Sequence, residues 1–321
     1  MKTAVLYNPK AGKGIPAEQV LTQLSSFFEG EELLVAEQEL VCEGLPIRLV
    51  DYSREDGSYL GLLSAKVKAL VEAGAECFVS VGGDGTATYV RNVLYRMGLD
   101  IPMLGVAAGT ANVGPIVSVS LEQLAGRTVR EARYVDYDGV AVYAGDELIS
   151  LAFNDVIIGD TFLATVNGGG CNVSVRELLC NGAIVPQSPS VDMVKDDFRV
   201  ELNGEDILPA GRDIQQIIIS SVAHESHYGR AVYGPIGKCD WCEKKGVIAL
   251  CDHIAVSFEE NNAGTGRFSS MQYLIFGPND DVALKGFTPK ACLVCDGNPY
   301  LLEQDNIRVK YENSLVKTIT I

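Results

Sequence analysis

The chain has 321 residues, 47% hydrophobic and 21% charged, a balance that excludes disorder and fibrous repeats and leaves room for about two domains with their own cores. Its 26 basic and 42 acidic side chains give a formal charge of −16. That excludes a general nucleic-acid binder, which needs a basic footprint, but not a small anionic ligand, because oriented backbone N–H groups hold phosphates on acidic proteins too.

Residues 3–7 read as a strand, followed by a Gly-rich turn and a helix over 17–28. A second strand is expected at 47–51. A helix is expected over 59–73, where Leu60, Leu63, Val67 and Leu70 recur at helical spacing. A strand at 77–81, a helix at 87–97 and a strand at 103–106 continue the alternation, while 29–43 is acidic and apolar by turns and shows no clear period. Short apolar strands separated by helices predict an α/β N-terminal domain over 1–115, a parallel sheet with helices on both faces. After about residue 116 the texture changes. A short helix near 121–124 precedes strand-like runs at 132–137, 139–143, 149–158, 198–202, 214–222, 247–258, 271–276 and 291–295. Turns stand out as Ala144-Gly145-Asp146, Asn203-Gly204-Glu205 and Gly277-Pro278-Asn279-Asp280. Many strands and few helices predict a mainly β second domain over 116–299, packed on the first with a cleft between them. No run approaches the ~18 apolar residues of a membrane span, and the apolar stretch at 4–7 is too short for a signal peptide.

The strongest local signal is Gly82-Gly83-Asp84-Gly85-Thr86, between a strand and a helix. In an open α/β sheet, ligands collect at the carboxyl ends of strands, where loops enter helix N-termini. Its glycines let the backbone approach a ligand and present successive N–H groups to an anion. Asp84 would repel phosphates there unless it holds a metal or takes a proton from a nucleophile; the alternative is a tight turn with a helix-capping acid. Two further loops are expected on the same edge, Asn8-Pro9-Lys10-Ala11-Gly12-Lys13-Gly14 and Ala108-Gly109-Thr110-Ala111-Asn112-Val113-Gly114. They offer donors for phosphate and ribose oxygens, with Lys10 and Lys13 neutralising charge. Each loop alone is an ordinary turn; their convergence on one edge points to a site.

Two motif readings compete with this one. Gly12-x-Gly14-x-x-Ala17 imitates a dinucleotide-binding fingerprint. That fingerprint wants an acidic residue about 20 residues further on, whereas the nearest expected strand-end acid, Asp51, is about 35 away, and Pro16 falls where the helix starts. The G-x-x-x-x-G-K-[ST] loop is absent, which excludes an ordinary P-loop NTPase.

Asn8-Pro9-Lys10, Gly82-Gly83-Asp84-Gly85-Thr86 and Gly109-Thr110-Ala111-Asn112 together resemble the superfamily of NAD kinases and diacylglycerol kinases. Ala152-Phe153-Asn154-Asp155-Val156-Ile157-Ile158-Gly159 looks like the asparagine–acid motif of the NAD kinase branch, with Asp where Glu is usual. Asp296-Gly297 is similar to the superfamily's late Asp-Gly. The mixture resembles the ATP-NAD kinase-like group that includes the acetoin-catabolism protein X relatives. The stretch Gly105-Val106-Ala107-Ala108-Gly109-Thr110-Ala111-Asn112 is closer to lipid-kinase and protein X forms than to bacterial NAD kinases, a departure that bears on NAD as substrate. The resemblance implies a β-sandwich-like second domain, with residues of about 300–321 returning to the first.

It also implies transfer of the γ-phosphoryl of ATP to a hydroxyl of NAD or a related nucleotide or small molecule. Mg²⁺ would accompany the nucleotide and keep its waters rather than sit in a protein cage. Asp84 inherits the role of general base. Gly82, Gly83, Gly85 and Thr86 surround the phosphates with Asn8, Lys10, Gly109, Thr110 and Asn112, and Asn154 and Asp155 contact the acceptor's nucleoside part. Positioning and charge neutralisation are what phosphoryl transfer asks of a protein. A homodimer is implied by the resemblance alone. Two rival functions are a lipid kinase, which wants surface basic residues that the acidic balance opposes, and a non-catalytic nucleotide-binding regulator, which the intact Asp84 opposes.

Nine cysteines, an odd number, fit reduced thiols in a cytoplasmic setting. His224, Glu225, His227 and His253, with the pairs Cys239/Cys242 and Cys292/Cys295, raise the question of zinc. Cys292 and Cys295, three apart on a strand, face opposite sides and read as structural. The set Cys239, Cys242, Cys251 and His253 stays open, with buried unreactive thiols as the default. Arg230, between Tyr228 and Tyr233, reads either as an acceptor-side phosphate ligand or as part of an exposed turn. Gly168-Gly169-Gly170 reads as a flexible connection.

Overall fold

The computed structural model describes residues 1–9, 11, 14–53, 59–108, 112–166, 169–207, 213–222, 236, 245–258 and 269–321. Contacts divide the chain into two units, Met1–Tyr137 with Ser314–Ile321, and Asp138–Asn313.

The first unit is built from β1 (Thr3–Tyr7), α1 (Ala17–Phe27), β2 (Leu33–Val35), β3 (Ile47–Leu49), α2 (Tyr59–Glu72), β4 (Cys77–Gly82), α3 (Asp84–Arg96), β5 (Met103–Ala107) and α4 (Leu121–Leu124). The strands pair in parallel in the order β3-β2-β1-β4-β5. Val5, Val79 and Val81 pack with Val20, Leu21, Leu24 and Phe27 of α1 and Leu121 and Leu124 of α4. The alternate residues Ala4, Leu6 and Phe78 are buried as well, as expected for strands covered on both faces. The stretch 29–43 supplies β2, whose three residues are all buried, and a 3₁₀ turn at Gln38–Leu40. Three residues are too few to show a period. The helix expected from 87 begins at Asp84, with Gly83 as its extended N-cap.

The unit runs on past residue 115 because the next segment packs onto β5. Gly105 lets the 116–117 backbone lie over the strand; a Cβ there would sit 2.2 Å from the Ile116 carbonyl oxygen. Val119 bridges Val106. Ser120 then opens α4 with a capping box closed by Gln123. Arg91, buried in α3, donates from Nε to the Leu315 carbonyl at 2.6 Å and from Nη1 to that of Leu99. These bonds tie the returning segment to the unit, where Thr318 pairs in parallel with Met103.

The second unit is mainly β. Its elements are β6 (Arg133–Ala144, from Asp138 onward), β7 (Glu147–Ala152), β8 (Val156–Gly159), β9 (Thr161–Val166), β10 (Gly169–Ser174), α5 (Val175–Asn181), β11 (Val194–Leu202), β12 (Glu205–Asp206), β13 (Gln216–Ser220), β14 (Gly246–Cys251), β15 (Met271–Phe276), β16 (Val282–Phe287), β17 (Cys292–Cys295), β18 (Asn298–Leu301) and β19 (Asn306–Thr320, as far as Asn313). An antiparallel sheet runs β15-β14-β13-β8-β17-β18. Its residues Ile158, Ile217, Ile219, Leu250 and Leu293 share one core with Val200, Leu284, Ile307, Val309 and Tyr311 of the β11-β16-β19 strands. That arrangement makes a sandwich.

The run 149–158 is broken at residues 153–155 into β7 and β8, and the runs 132–137 and 139–143 are one strand, β6. Gly169 and Gly170 form no loose connection. They open β10, which pairs with β9, and a Cβ on Gly170 would meet the Phe258 ring at 2.5 Å. Cys292 packs with Val175 and Val294, and Cys295 with Ile158 and Leu293, on opposite faces as the period of a strand requires.

Candidate functional site

Because β4 lies between β1 and β5, the carboxyl ends of the three strands share one edge in the first unit. Asn8 N donates to the Val81 carbonyl at 2.9 Å, and Ala108 N to that of Gly82 at 3.0 Å. Asn8 Nδ2 donates to Thr86 Oγ1 at 3.4 Å. From the third loop, Val113 N and Gly114 N donate to Asp84 Oδ2 at 2.7 and 3.0 Å. A Cβ on Gly83 would lie 3.5 Å from Asn112 Oδ1, an oxygen buried without a hydrogen-bond partner among the described residues. The edge is thus assembled from Asn8, Gly82 to Thr86 and residues 112–114. The first turn of α3 supplies the partial positive charge of a helix N-terminus. Asp84 anchors the 113–114 backbone. Lys10, Lys13, Gly109 and Thr110 lie outside the described residues.

A cavity of about 330 Å³ opens beside this edge, lined by Tyr7, Asn8, Pro9 and Thr86, by Glu37 and Leu40, and by Leu62, Leu63 and Lys66 of α2, among others. Sequence reading missed Glu37 because the strand that carries the chain to it, β2, shows no pattern.

In the second unit the pair Asn154-Asp155 is buried, 3% and 8% exposed. It immediately precedes β8, which lies between the antiparallel strands β13 and β17. The ends of those neighbours therefore close around it. Asp296 and Gly297 form the two-residue turn from β17 to β18, with φ of +46° and +82°, the conformation that makes Asp-Gly a favoured hairpin turn. The Asp296 carboxylate accepts the backbone N–H groups of Phe153, Asn154 and Asp155 at 2.8, 2.9 and 3.0 Å. Its own N–H returns to the Asp155 carbonyl. On the other side, Ser220 Oγ donates to the Asn154 carbonyl at 2.6 Å and accepts from Val222 N. Val222, β-branched, sits at φ +45°, a strained conformation of the kind that collects at functional sites. Asn154 Nδ2 donates to Asp155 Oδ2 at 2.5 Å. Asp296 and Ser220 thus fix the pair from both sides. Arg230 lies outside the described residues.

Among the described residues no three His, Cys, Asp or Glu side chains cluster as a metal site. His224, Glu225, His227, Cys239 and Cys242 lie outside them. Cys251 is buried and desolvation pushes its thiol up to about 12, while His253 Nδ1 bonds Asp252 Oδ1 at 2.9 Å. Among the described residues no helix is long and apolar enough to cross a membrane.

The first unit's parallel sheet and the mainly β second unit have counterparts among known proteins. Residues 2–117 match the diacylglycerol kinase catalytic domain. Over 322 residues, 99% of this chain and 98% of the other, the chain is 24% identical to an uncharacterized protein of Archaeoglobus fulgidus. A 103-residue stretch is 35% identical to an NAD kinase of Methanosarcina barkeri, spanning 31% of this chain and 35% of that one. Among solved structures, a diacylglycerol kinase from Bacillus anthracis shares the fold at TM-score 0.55 and 12% identity, over 100% of this chain and 97% of that one. Residues 2–117 are thus similar to a kinase catalytic domain, and the whole chain shares the fold of diacylglycerol kinase-like structures.

Proposed function

We propose that the chain is an ATP-dependent kinase that transfers the γ-phosphoryl to a hydroxyl of NAD or a related nucleotide or small molecule. The observation that carries this reading is the single edge on which Asn8, Gly82 to Thr86 and Asn112 to Gly114 meet. The donor set fits a nucleotide's phosphates: a helix N-terminus opened by Gly83, the Thr86 hydroxyl and the Asn8 amide. Mg²⁺ fits as an ion bound mainly through phosphates and water, and when bound it neutralises phosphate charge. Asp84 is the group assigned to take the acceptor hydroxyl's proton as the new O–P bond forms and ADP leaves. Its orientation is fixed by the two amides it holds. Lys10, Gly109 and Thr110 are assigned to the phosphates, Asn154 and Asp155 to the acceptor's nucleoside part, and Arg230 to an acceptor phosphate.

A second reading, a lipid acceptor, is favoured by the family model matched over 2–117. The two separate when the chain is incubated with ATP and Mg²⁺ together with NAD, or with diacylglycerol in vesicles, and products are weighed by mass spectrometry. Phosphorylated NAD is the expected result. Phosphatidate alone would move the acceptor to lipid, and nucleotide binding with no phosphorylated product would favour a non-catalytic binder.

A further inference from the structure

The cavity beside the phosphate edge ends at an acid that no motif marked. β2 lies next to β1 in the sheet, and Glu37 stands two residues beyond its last residue, Val35. In open α/β sheets that bind nucleotides, an acidic residue at the end of the second strand takes the ribose hydroxyls. The dinucleotide fingerprint beginning at Gly12 lacked such an acid only because β2 was invisible in the sequence. Glu37 stands 23 residues after Gly14, close to the expected spacing.

The local chemistry agrees. Glu37 Oε1 is paired with Lys66 Nζ, which holds the side chain as a carboxylate in place. Its other oxygen, Oε2, is buried with no hydrogen-bond partner among the described residues. A buried carboxylate oxygen left without a donor is costly and calls for an explanation; a hydroxyl from a ligand supplies the missing donor. The same cavity is lined by Asn8 and Thr86 of the phosphate edge, and Leu40, Leu62 and Leu63 give it apolar walls. Phosphate donors on one side and an acid on the other suit a ribonucleotide.

We propose that Glu37 binds a ribose hydroxyl of the nucleotide whose phosphates lie at the N-terminus of α3, and that the Glu37–Lys66 pair selects ribonucleotides over their deoxy forms. This rests on the reading of that edge as a nucleotide site. The test measures calorimetric binding of ATP, 2′-deoxy-ATP and 3′-deoxy-ATP to the full chain, wild type and Glu37→Gln. The wild type is expected to bind ATP about tenfold or more tighter than at least one deoxy form. In Glu37→Gln, which exchanges the charged acceptor for a neutral amide oxygen, ATP falls toward the level of that deoxy form, whose own affinity is unchanged. Equal binding of all three by the wild type overturns the inference, as does the absence of ATP binding, and neither result depends on the variant folding. An equal loss for all three in Glu37→Gln also overturns it, since it reduces the pair to a structural ion bridge. A chain that discriminates ribose through Glu37 yet phosphorylates no acceptor refutes the proposed reaction and supports the subsite. One that phosphorylates an acceptor equally well from all three nucleotides does the reverse.

Discussion

Asp296 sits at the first corner of a hairpin turn, yet its carboxylate serves another strand, accepting three buried backbone N–H groups from residues 153–155. A carboxylate saturated by three amides is a positioning group for Asn154-Asp155. Truncation to alanine would orphan those donors, at about 1–3 kcal/mol for a buried unsatisfied group. Asp296→Ala is therefore expected to lose about 3 kcal/mol or more in urea denaturation. Asp296→Asn, which keeps one acceptor oxygen and tolerates φ above zero, should lose clearly less. Equal losses in the two variants, or a loss below about 1 kcal/mol in Asp296→Ala, would contradict this role. The residues legible in the sequence were short polar strings at strand ends: Gly82 to Thr86, Asn154-Asp155 and Asp296-Gly297. What joins the last two was not legible, since residues 141 positions apart meet only through the order of strands in the sheet.

At the scale of elements, local period decided what could be read. β1, β4, α1 and α4 carry clean apolar runs or helical spacing and lie where expected. β19 escaped because its inward residues Ile307, Val309 and Tyr311 alternate with Arg308, Lys310 and Glu312, so no apolar run marks it. α5 left signals that went unused: Ser174 caps Glu177 N, and Gly182 ends the helix at φ +65°. Gly105 shows an element depending on an absent side chain. Its would-be Cβ meets backbone rather than the end of a flexible side chain, so neither partner gives way cheaply. Gly105→Ala is expected to destabilise by roughly 1–3 kcal/mol or more, read as a lowered urea midpoint. A wild-type midpoint would show that residues 116–117 do not lie where described.

On the scale of the whole molecule, a formal charge of −16 is compatible with the proposed phosphate site, because the attraction invoked there is local, from the first turn of α3 and its neighbouring amides rather than from net charge. The alternation of strands and helices made the α/β unit legible, and the change of texture announced a mainly β second unit. The return of Ser314–Ile321 to the first unit is a long-range pairing that no local pattern encodes. A phosphoryl transfer that depends on Asp84 is tested by initial rates of product formation in wild type and Asp84→Asn. Asparagine keeps an oxygen for the Val113 and Gly114 amides, so the melting temperature should hold. It cannot take the hydroxyl's proton, so the rate should fall by about 10²-fold or more. A variant as fast as the wild type would contradict the claim.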